Sequence, residues 1–189
     1  MQNNNLYCKA NLDEEDKNQL LLKELEYSMK EIEKGFSHLI FLCVGTDLII
    51  GDSVGPIIGT KLKKIENEYI KVFGTLSNTL NFNNARDEIN KIYLNYSNPY
   101  IITIDAALSN FNEVGDIVID KGFIKIGKAL EKSICFYSNT NIKCVVGNNV
   151  SVKENLNQLK NIEEQEIHAM ANIVSSGIQK VLNKINIYV

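Results

Sequence analysis

Residues 39–56 read LIFLCVGTDLIIGDSVGP and carry the strongest fold signal of the sequence. The first six residues of this stretch are all apolar, which is typical of a central β-strand covered on both faces. A loop containing two glycines follows, and Asp52 or Ser53 then precedes Pro56, a residue favoured in the first turn of a helix. The stretch therefore predicts a buried strand, a tight loop and a helix in succession.

Similar patterns alternate along the rest of the chain. Apolar runs predict further strands over residues 69–73, 100–104, 116–119, 133–137 and 142–146. Apolar residues at three- and four-residue spacing predict helices over residues 11–34, 57–65, 84–96 and 162–185. This alternation predicts an α/β fold, a three-layer sandwich with a mostly parallel sheet between helices. We expect residues 1–35 to form an N-terminal helical extension and residues 36–189 a single α/β domain.

Composition narrows the function classes. The 189 residues are 44% hydrophobic and 23% charged, and the net charge of -3 with a pI near 5.5 argues against a nucleic-acid partner. The four cysteines form no CxxC pair, so we expect no zinc site and a reducing compartment. Neither a signal peptide nor an apolar run of about 18 residues is present, so we expect a cytoplasmic protein without a membrane span.

Two acidic residues stand where the predicted strands give way to loops. Asp52 lies in the loop after the first strand, and Asp105 directly follows the strand predicted over residues 100–104. Because ligands gather beyond the carboxyl ends of parallel strands, we expect both carboxyl groups to reach one crevice. There they could share a proton as acid and base toward water, or hold a hard divalent cation. A helix cap at Asp52 and a turn at Asp105 are the purely structural alternatives.

The acid segments also carry a family resemblance. The segments FLCVGTD (41–47), GDSVGP (51–56), FGTL (73–76) and ITIDA (102–106) together resemble the YyaC-type family of sporulation proteases. That family is related to the germination protease and, more distantly, to hydrogenase maturation endopeptidases. The resemblance spans residues 39–182 and implies a phosphorylase/hydrolase-like fold with Asp52 and Asp105 as the catalytic acids. In the same loop we assign Thr46 and Asp47 to substrate binding.

The chain departs from the hydrogenase maturation relatives at a third position. In those relatives the two acids and a histidine bind the nickel of the substrate. The histidines here are His38, ahead of the first strand, and His168, in the last helix, whereas Lys143, Cys144 and Asn148 stand near the third strand end. An acid pair without a metal, as proposed for the germination protease, therefore fits better. We expect no cofactor, and a divalent metal at the acid pair is the disfavoured alternative.

The sequence-based hypothesis is a peptidase of the sporulating cell or forespore that hydrolyses a protein or peptide substrate with Asp52 and Asp105. A non-catalytic binding protein of sporulation that kept the fold is the alternative, since fold does not establish activity. A metal-dependent hydrolase is a third hypothesis. Two carboxyl groups facing one open cleft would favour catalysis, and an acid buried in a cap or salt bridge would favour binding. The sequence leaves open the natural substrate and the oligomeric state, a homo-oligomer included.

Overall fold

A computed structural model describes residues 15–30, 35–127 and 134–185. The strands are β1 (Leu39–Cys43), β2 (Ile70–Phe73), β3 (Tyr100–Leu108), β4 (Ile117–Ile126) and β5 (Ile134–Gly147). The helices are α1 (Glu15–Met29), α2 (Val54–Leu62), α3 (Ala85–Asn95), α4 (Val152–Asn161) and α5 (Glu164–Ile185), with short 3-10 turns at Ile50–Asp52 and Lys63–Ile65. In this described part of the chain, no helix combines the length and apolarity needed to cross a bilayer.

The five strands form one sheet in the order β2-β1-β3-β5-β4. Strand β1 pairs in parallel with β2 and β3, β3 pairs in parallel with β5, and β4 runs antiparallel to β5. The prediction of a mostly parallel α/β sheet is therefore confirmed. Since β2 and β3 lie on opposite sides of β1, the strand order reverses there, which opens a crevice beyond the carboxyl end of β1.

Both faces of the sheet are covered, as the continuous apolar run of β1 requires. Alternate residues of β1, such as Phe41, belong to a core cluster that includes buried residues of α2 and α5. The residues between them, such as Ile40, belong to a second cluster that includes Ile89 and Ile92 of α3. The three-layer prediction is confirmed, and the apolar stripe of α5, including Ile167 and Val174, is core as predicted.

Helix α1 packs into the domain. Leu25 is fully buried in the first core cluster, and a Cβ added at Gly177 of α5 would lie 3.1 Å from the Leu25 Cδ1 atom. The Tyr100 hydroxyl donates a hydrogen bond of 2.7 Å to the carbonyl oxygen of Ser28. The division of the chain at residue 35 stays a prediction, and residues 11–14 and 31–34 of the predicted helix lie outside the described residues.

Strand β5 differs from its prediction. Two separate strands were expected over residues 133–137 and 142–146, with polar residues at 138–141 between them. Ser133 lies outside the described residues. The strand is instead continuous from Ile134 to Gly147. The polar side chains within it find buried partners: Ser138 donates to the Ile101 carbonyl at 3.1 Å, and Thr140 bonds the Tyr100 hydroxyl at 2.9 Å. Tertiary hydrogen bonds therefore overrode the local turn signal.

Helix α4 was not predicted. It is amphipathic but mostly polar, and only Asn155 and Leu159 among its residues are buried. A signal for it was present in the sequence: Ser151 is followed three residues later by Glu154, the pattern of a capping box. In the structure Ser151 Oγ accepts a hydrogen bond of 3.3 Å from the Glu154 N–H. The remaining predicted helices and strands begin and end close to their expected residues, apart from the extensions of β3, β4 and β5.

We predict that Leu25→Ala lowers the free energy of unfolding by about 2–5 kcal/mol, because it leaves a cavity between α1 and α5. The matched control is Leu94→Ala on α3, whose side chain is 85% exposed and should change stability by less than about 1 kcal/mol. Urea unfolding followed by circular dichroism measures both values. Equal effects of the two substitutions would show that α1 contributes nothing to the stability of the domain.

Candidate active site

Asp52 is positioned by close main-chain contacts at the end of β1. Gly45 has a φ of +141°, and a Cβ atom there would lie 1.9 Å from the main-chain oxygen of Asp52. A Cβ atom at Gly55 would lie 2.0 Å from the carbonyl oxygen of Val44. The Thr46 N–H donates a 3.1 Å hydrogen bond to the Asp52 carbonyl oxygen, which closes the loop. The glycines therefore let the loop fold tightly back and hold Asp52 over the strand end.

Asp52 does not act as a plain helix cap. It ends the 3-10 turn Ile50–Asp52, and the N-cap residue of α2 is Ser53. Helix α2 has no side-chain cap hydrogen bond, and the Ser53 hydroxyl donates instead to the Ile50 carbonyl at 2.6 Å. The carboxyl group of Asp52 is therefore available to the crevice.

Asp105 lies inside a strand, which corrects the prediction that the strand ends there. Strand β3 continues to Leu108 because it still pairs with β5, with Asp105 opposite Lys143 in the register. Its pairing with β1 stops earlier, at Ile104 opposite Cys43. The turn alternative for Asp105 is therefore wrong. At Asp105 the neighbouring strand β1 has therefore ended, and the carboxyl group projects beside the gap that it leaves. This gap is the crevice that the sheet topology predicts.

Asp52 and Asp105 line the same cleft, which has a volume of about 650 Å³. Both residues are only partly buried. Further walls come from the loop after β1, the loop before α3, the end of β4 and α4; their lining residues include Thr46, Leu48, Asn81, Phe82, Phe123, Asn149, Asn155 and Leu159. The structure thus brings the two predicted acids together in an open cleft.

The surroundings of the two acids oppose their ionisation. Burial raises the pKa of Asp52 from 3.8 to about 6, and a hydrogen bond from the Thr46 main chain acts in the opposite direction. Burial also raises the pKa of Asp105 well above its usual value; the nearby Asp52 adds to the rise, while Ala106 and the Lys143 ammonium oppose it. Because the charge of Asp52 raises the pKa of Asp105, the two carboxyl groups titrate as a coupled pair.

Lys143 is a further charged residue of the cleft, which Lys125 also lines, and no role was predicted for Lys143 from the sequence. Its ammonium forms an ion pair with the carboxylate of Asp120 on β4. The side-chain amide of Asn141 donates a 2.8 Å hydrogen bond to the other carboxylate oxygen of Asp120. The sequence signal was its alternation: Lys143 stands between the buried Ile142 and Cys144, so it had to face the opposite side of the sheet.

The predicted substrate-binding residues occupy different positions. Thr46 lines the cleft, and its hydroxyl oxygen accepts a 3.3 Å hydrogen bond from the Leu48 N–H. Asp47 is exposed and is absent from the described residues that line the cleft. Both assignments stay predictions, and the structure gives Thr46 the more direct access to a bound ligand.

The donor set does not favour a metal centre. Across residues 15–30, 35–127 and 134–185, no three His, Cys, Asp or Glu side chains gather in a way that could hold a metal ion. His38 contacts Ser37 at 2.9 Å and packs on the ring of Tyr96, and His168 lies 3.4 Å from Glu164 on α5. The Lys143 ammonium near Asp105 would also repel a divalent cation.

We predict that Asp52→Asn and Asp105→Asn each raise the free energy of unfolding at pH 7–8, by about 1–3 kcal/mol for Asp52. A raised carboxyl pKa in the folded state means that folding becomes less favourable as pH rises from about 4 through 6, and the amide removes this cost. The gain should therefore vanish below about pH 4. Urea unfolding across this pH range measures it, with Asp87→Asn on the exposed start of α3 as control. A gain that is independent of pH would contradict the assignment.

Comparison with known proteins agrees with the fold and the motifs. The chain is 34% identical over 140 residues to the uncharacterized protein YyaC of Bacillus subtilis (strain 168), covering 74% of this chain and 67% of that protein. Its structure is similar to that of the [NiFe] hydrogenase maturation protease HycI from Thermococcus kodakarensis KOD1, with a TM-score of 0.51 and 14% sequence identity. That match covers 82% of this chain and 99% of HycI, and it shows a shared fold.

The family model begins closer to the N-terminus than the resemblance seen in the motifs. It matches residues 9–177, so it includes α1, whereas the motif resemblance begins at residue 39. This agrees with the packing of Leu25 in the core. Since the match spans most of the chain, this protein belongs to the DUF1256 family, a family described as of unknown function, and is YyaC-like with the fold of the hydrogenase maturation proteases.

Proposed function

We propose that this protein is a peptidase in which Asp52 and Asp105 activate a water molecule for attack on a peptide carbonyl. One observation carries the proposal: two carboxyl groups with raised pKa values line the same open cleft at the point where the strand order reverses. Perturbed carboxyl groups in a cleft mark functional sites, because their burial is otherwise a cost to stability. The fold shared with a protease is compatible with this proposal, which rests on the residues of the cleft.

The surroundings of the two acids favour a different role for each. Asp52, with a pKa of about 6, is the base that takes a proton from water near neutral pH. Asp105, whose pKa is raised by burial and by the charge of Asp52, is the acid that donates a proton to the leaving amide nitrogen. Two interacting acids in different surroundings can supply a base and an acid in one site. After product release, proton exchange with water restores the starting pair.

The binding alternative is less well supported by the geometry. Neither acid has the structural role that would favour binding. Asp52 does not cap α2, which has no side-chain cap hydrogen bond, and the described ion pair of Lys143 is made with Asp120 and not with Asp105. The metal-dependent hydrolase is disfavoured by the ligand set described above. We therefore place the acid pair without a metal first and the binding protein second.

The resemblance to the germination protease suggests where the substrate should be sought. We propose a protein of the sporulating cell or forespore as substrate, with the small acid-soluble spore proteins as the first to try. A cleft of about 650 Å³ with apolar side chains such as Leu48, Phe82 and Phe123 on its walls can receive a short peptide segment. Thr46 and Asp47 would contact this segment from the loop after β1.

We predict that the purified protein cuts small acid-soluble spore proteins at defined bonds, and that Asp52→Asn and Asp105→Asn each lower the rate at least about 100-fold. Asp87→Asn should cut at the wild-type rate. Mass spectrometry of the products maps the cuts and also reads the N-terminus of the enzyme itself. No cut by the wild type would favour the binding protein, and unchanged rates in both acid variants would remove the acids from the mechanism.

We predict a bell-shaped dependence of the cleavage rate on pH. Activity should rise as Asp52 ionises around pH 6, and it should fall at higher pH where Asp105 loses its proton. The rates are measured at constant ionic strength from pH 4.5 to 9.5. A rate that is flat across pH 5–7 would show that no acid with the pKa of Asp52 serves as the base.

A further inference from the structure

We propose that Lys143 is a third catalytic residue, whose ammonium group binds the carbonyl oxygen of the scissile peptide bond and stabilises the negative charge that forms there. This inference rests on the proposed peptidase function and goes beyond the acid pair. A histidine could not fill this role in the same way, because the lysine ammonium carries a positive charge and three N–H donors.

The register of the sheet places Lys143 beside the acid pair. Asp105 on β3 and Lys143 on β5 are directly opposite each other in neighbouring parallel strands, so their side chains leave the same face of the sheet. Both residues line the cleft together with Asp52. The Lys143 side chain is 31% exposed, so it reaches the cleft while its stem packs against the strands.

A buried chain of polar groups holds the ammonium in place. Asp120, whose side chain is only 13% exposed, accepts from Lys143 with one carboxylate oxygen and from Asn141 with the other. Asn141 is fully buried, and its amide also lies 3.4 Å from the carbonyl oxygen of Gly122. The described bond to Asp120 uses one of the ammonium N–H groups. The others can point toward a ligand in the cleft without loss of this anchor.

In the proposed reaction, negative charge develops on the carbonyl oxygen, and a positive group at this position would stabilise it. When Asp52 takes the water proton, the oxygen of water bonds to the peptide carbon and the carbonyl electron pair moves onto its oxygen. Collapse of this intermediate breaks the C–N bond, and the nitrogen leaves with the proton of Asp105. Lys143 exchanges no proton; its charge lies next to the oxygen that becomes negative, which is where electrostatic stabilisation is most effective.

Lys143 also influences the titration of the acids. The charged or titratable groups around Asp105 are Asp52 from the loop after β1, Asp120 from β4, and Lys143 and Cys144 from β5. Burial together with the charge of Asp105 raises the pKa of the Cys144 thiol to about 12, so it stays neutral. Lys143 is the cation that opposes the rise in the pKa of Asp105. Its removal should therefore move the titration of Asp105 to higher pH.

A purely structural ion pair is the competing explanation, and it makes a different prediction. If Lys143 only neutralises Asp120, replacing both residues by neutral ones should restore the protein, because no buried charge is left alone. A catalytic Lys143 cannot be replaced in this way. The double variant Lys143→Met with Asp120→Asn therefore separates the two explanations. It can also be tested if the single variant misfolds, because it leaves no buried charge unpaired.

The experiment compares the cleavage of a small acid-soluble spore protein by the wild type, Lys143→Met, Lys143→Arg and the double variant. Lys160→Met, at an exposed position on α4 outside the cleft lining, is the control. We expect Lys143→Met and the double variant to lower kcat by about 100- to 1,000-fold with KM changed less than about threefold. Lys143→Arg should recover at least about tenfold of this loss. In the pH profile of Lys143→Met, the alkaline limb, which we assign to Asp105, should move to higher pH.

Wild-type kcat in the double variant would overturn the proposal and leave Lys143 as a structural residue. A loss confined to KM, or a pH profile of Lys143→Met that does not move, would also overturn it. These outcomes differ from failure of the proposed function, in which the wild type and the Lys160→Met control themselves cut nothing. Thermal unfolding of each variant confirms that the compared proteins are folded.

Discussion

The candidate site depends on one constraint, the close approach of main chain to main chain at the carboxyl end of β1. The carbonyl oxygens of Val44 and Asp52 lie where a side chain at Gly55 or Gly45 would begin. This contact sets the start of α2 against the end of the strand and brings Asp52 back over the sheet. Without it, the loop would be wider and Asp52 would leave the crevice that Asp105 enters from β3.

Burying two carboxyl groups in one cleft opposes folding, and the surroundings reduce this cost only in part. The Thr46 main chain favours the ionised form of Asp52, and Lys143 does so for Asp105, yet burial prevails in both. The two apolar core clusters stabilise the fold and so offset the cost of burying these carboxyl groups. Active sites are commonly held in this way, at some cost to the stability of the fold.

The shared fold with a hydrogenase maturation protease leaves the chemistry of the cleft to its own residues. Here the charged residues that line the cleft are Asp52, Asp105, Lys125 and Lys143, with Asp120 paired to Lys143, and the two histidines lie elsewhere. The ion pair of Lys143 with Asp120 places a cation near Asp105, where it opposes the rise in the pKa of that carboxyl group.

Local sequence patterns were sufficient to predict the sheet class, the order of most elements and the two acids at one crevice, because continuous apolar runs and the acids that follow them are local signals. They missed α4, whose mostly polar surface gave little periodicity, and they ended β3 too early at Asp105. Only the tertiary structure decided that β5 is continuous, that Asp105 faces Lys143, and that Asp120 holds this lysine. These features depend on strand register and on buried hydrogen bonds between distant residues, which no local pattern of side chains specifies.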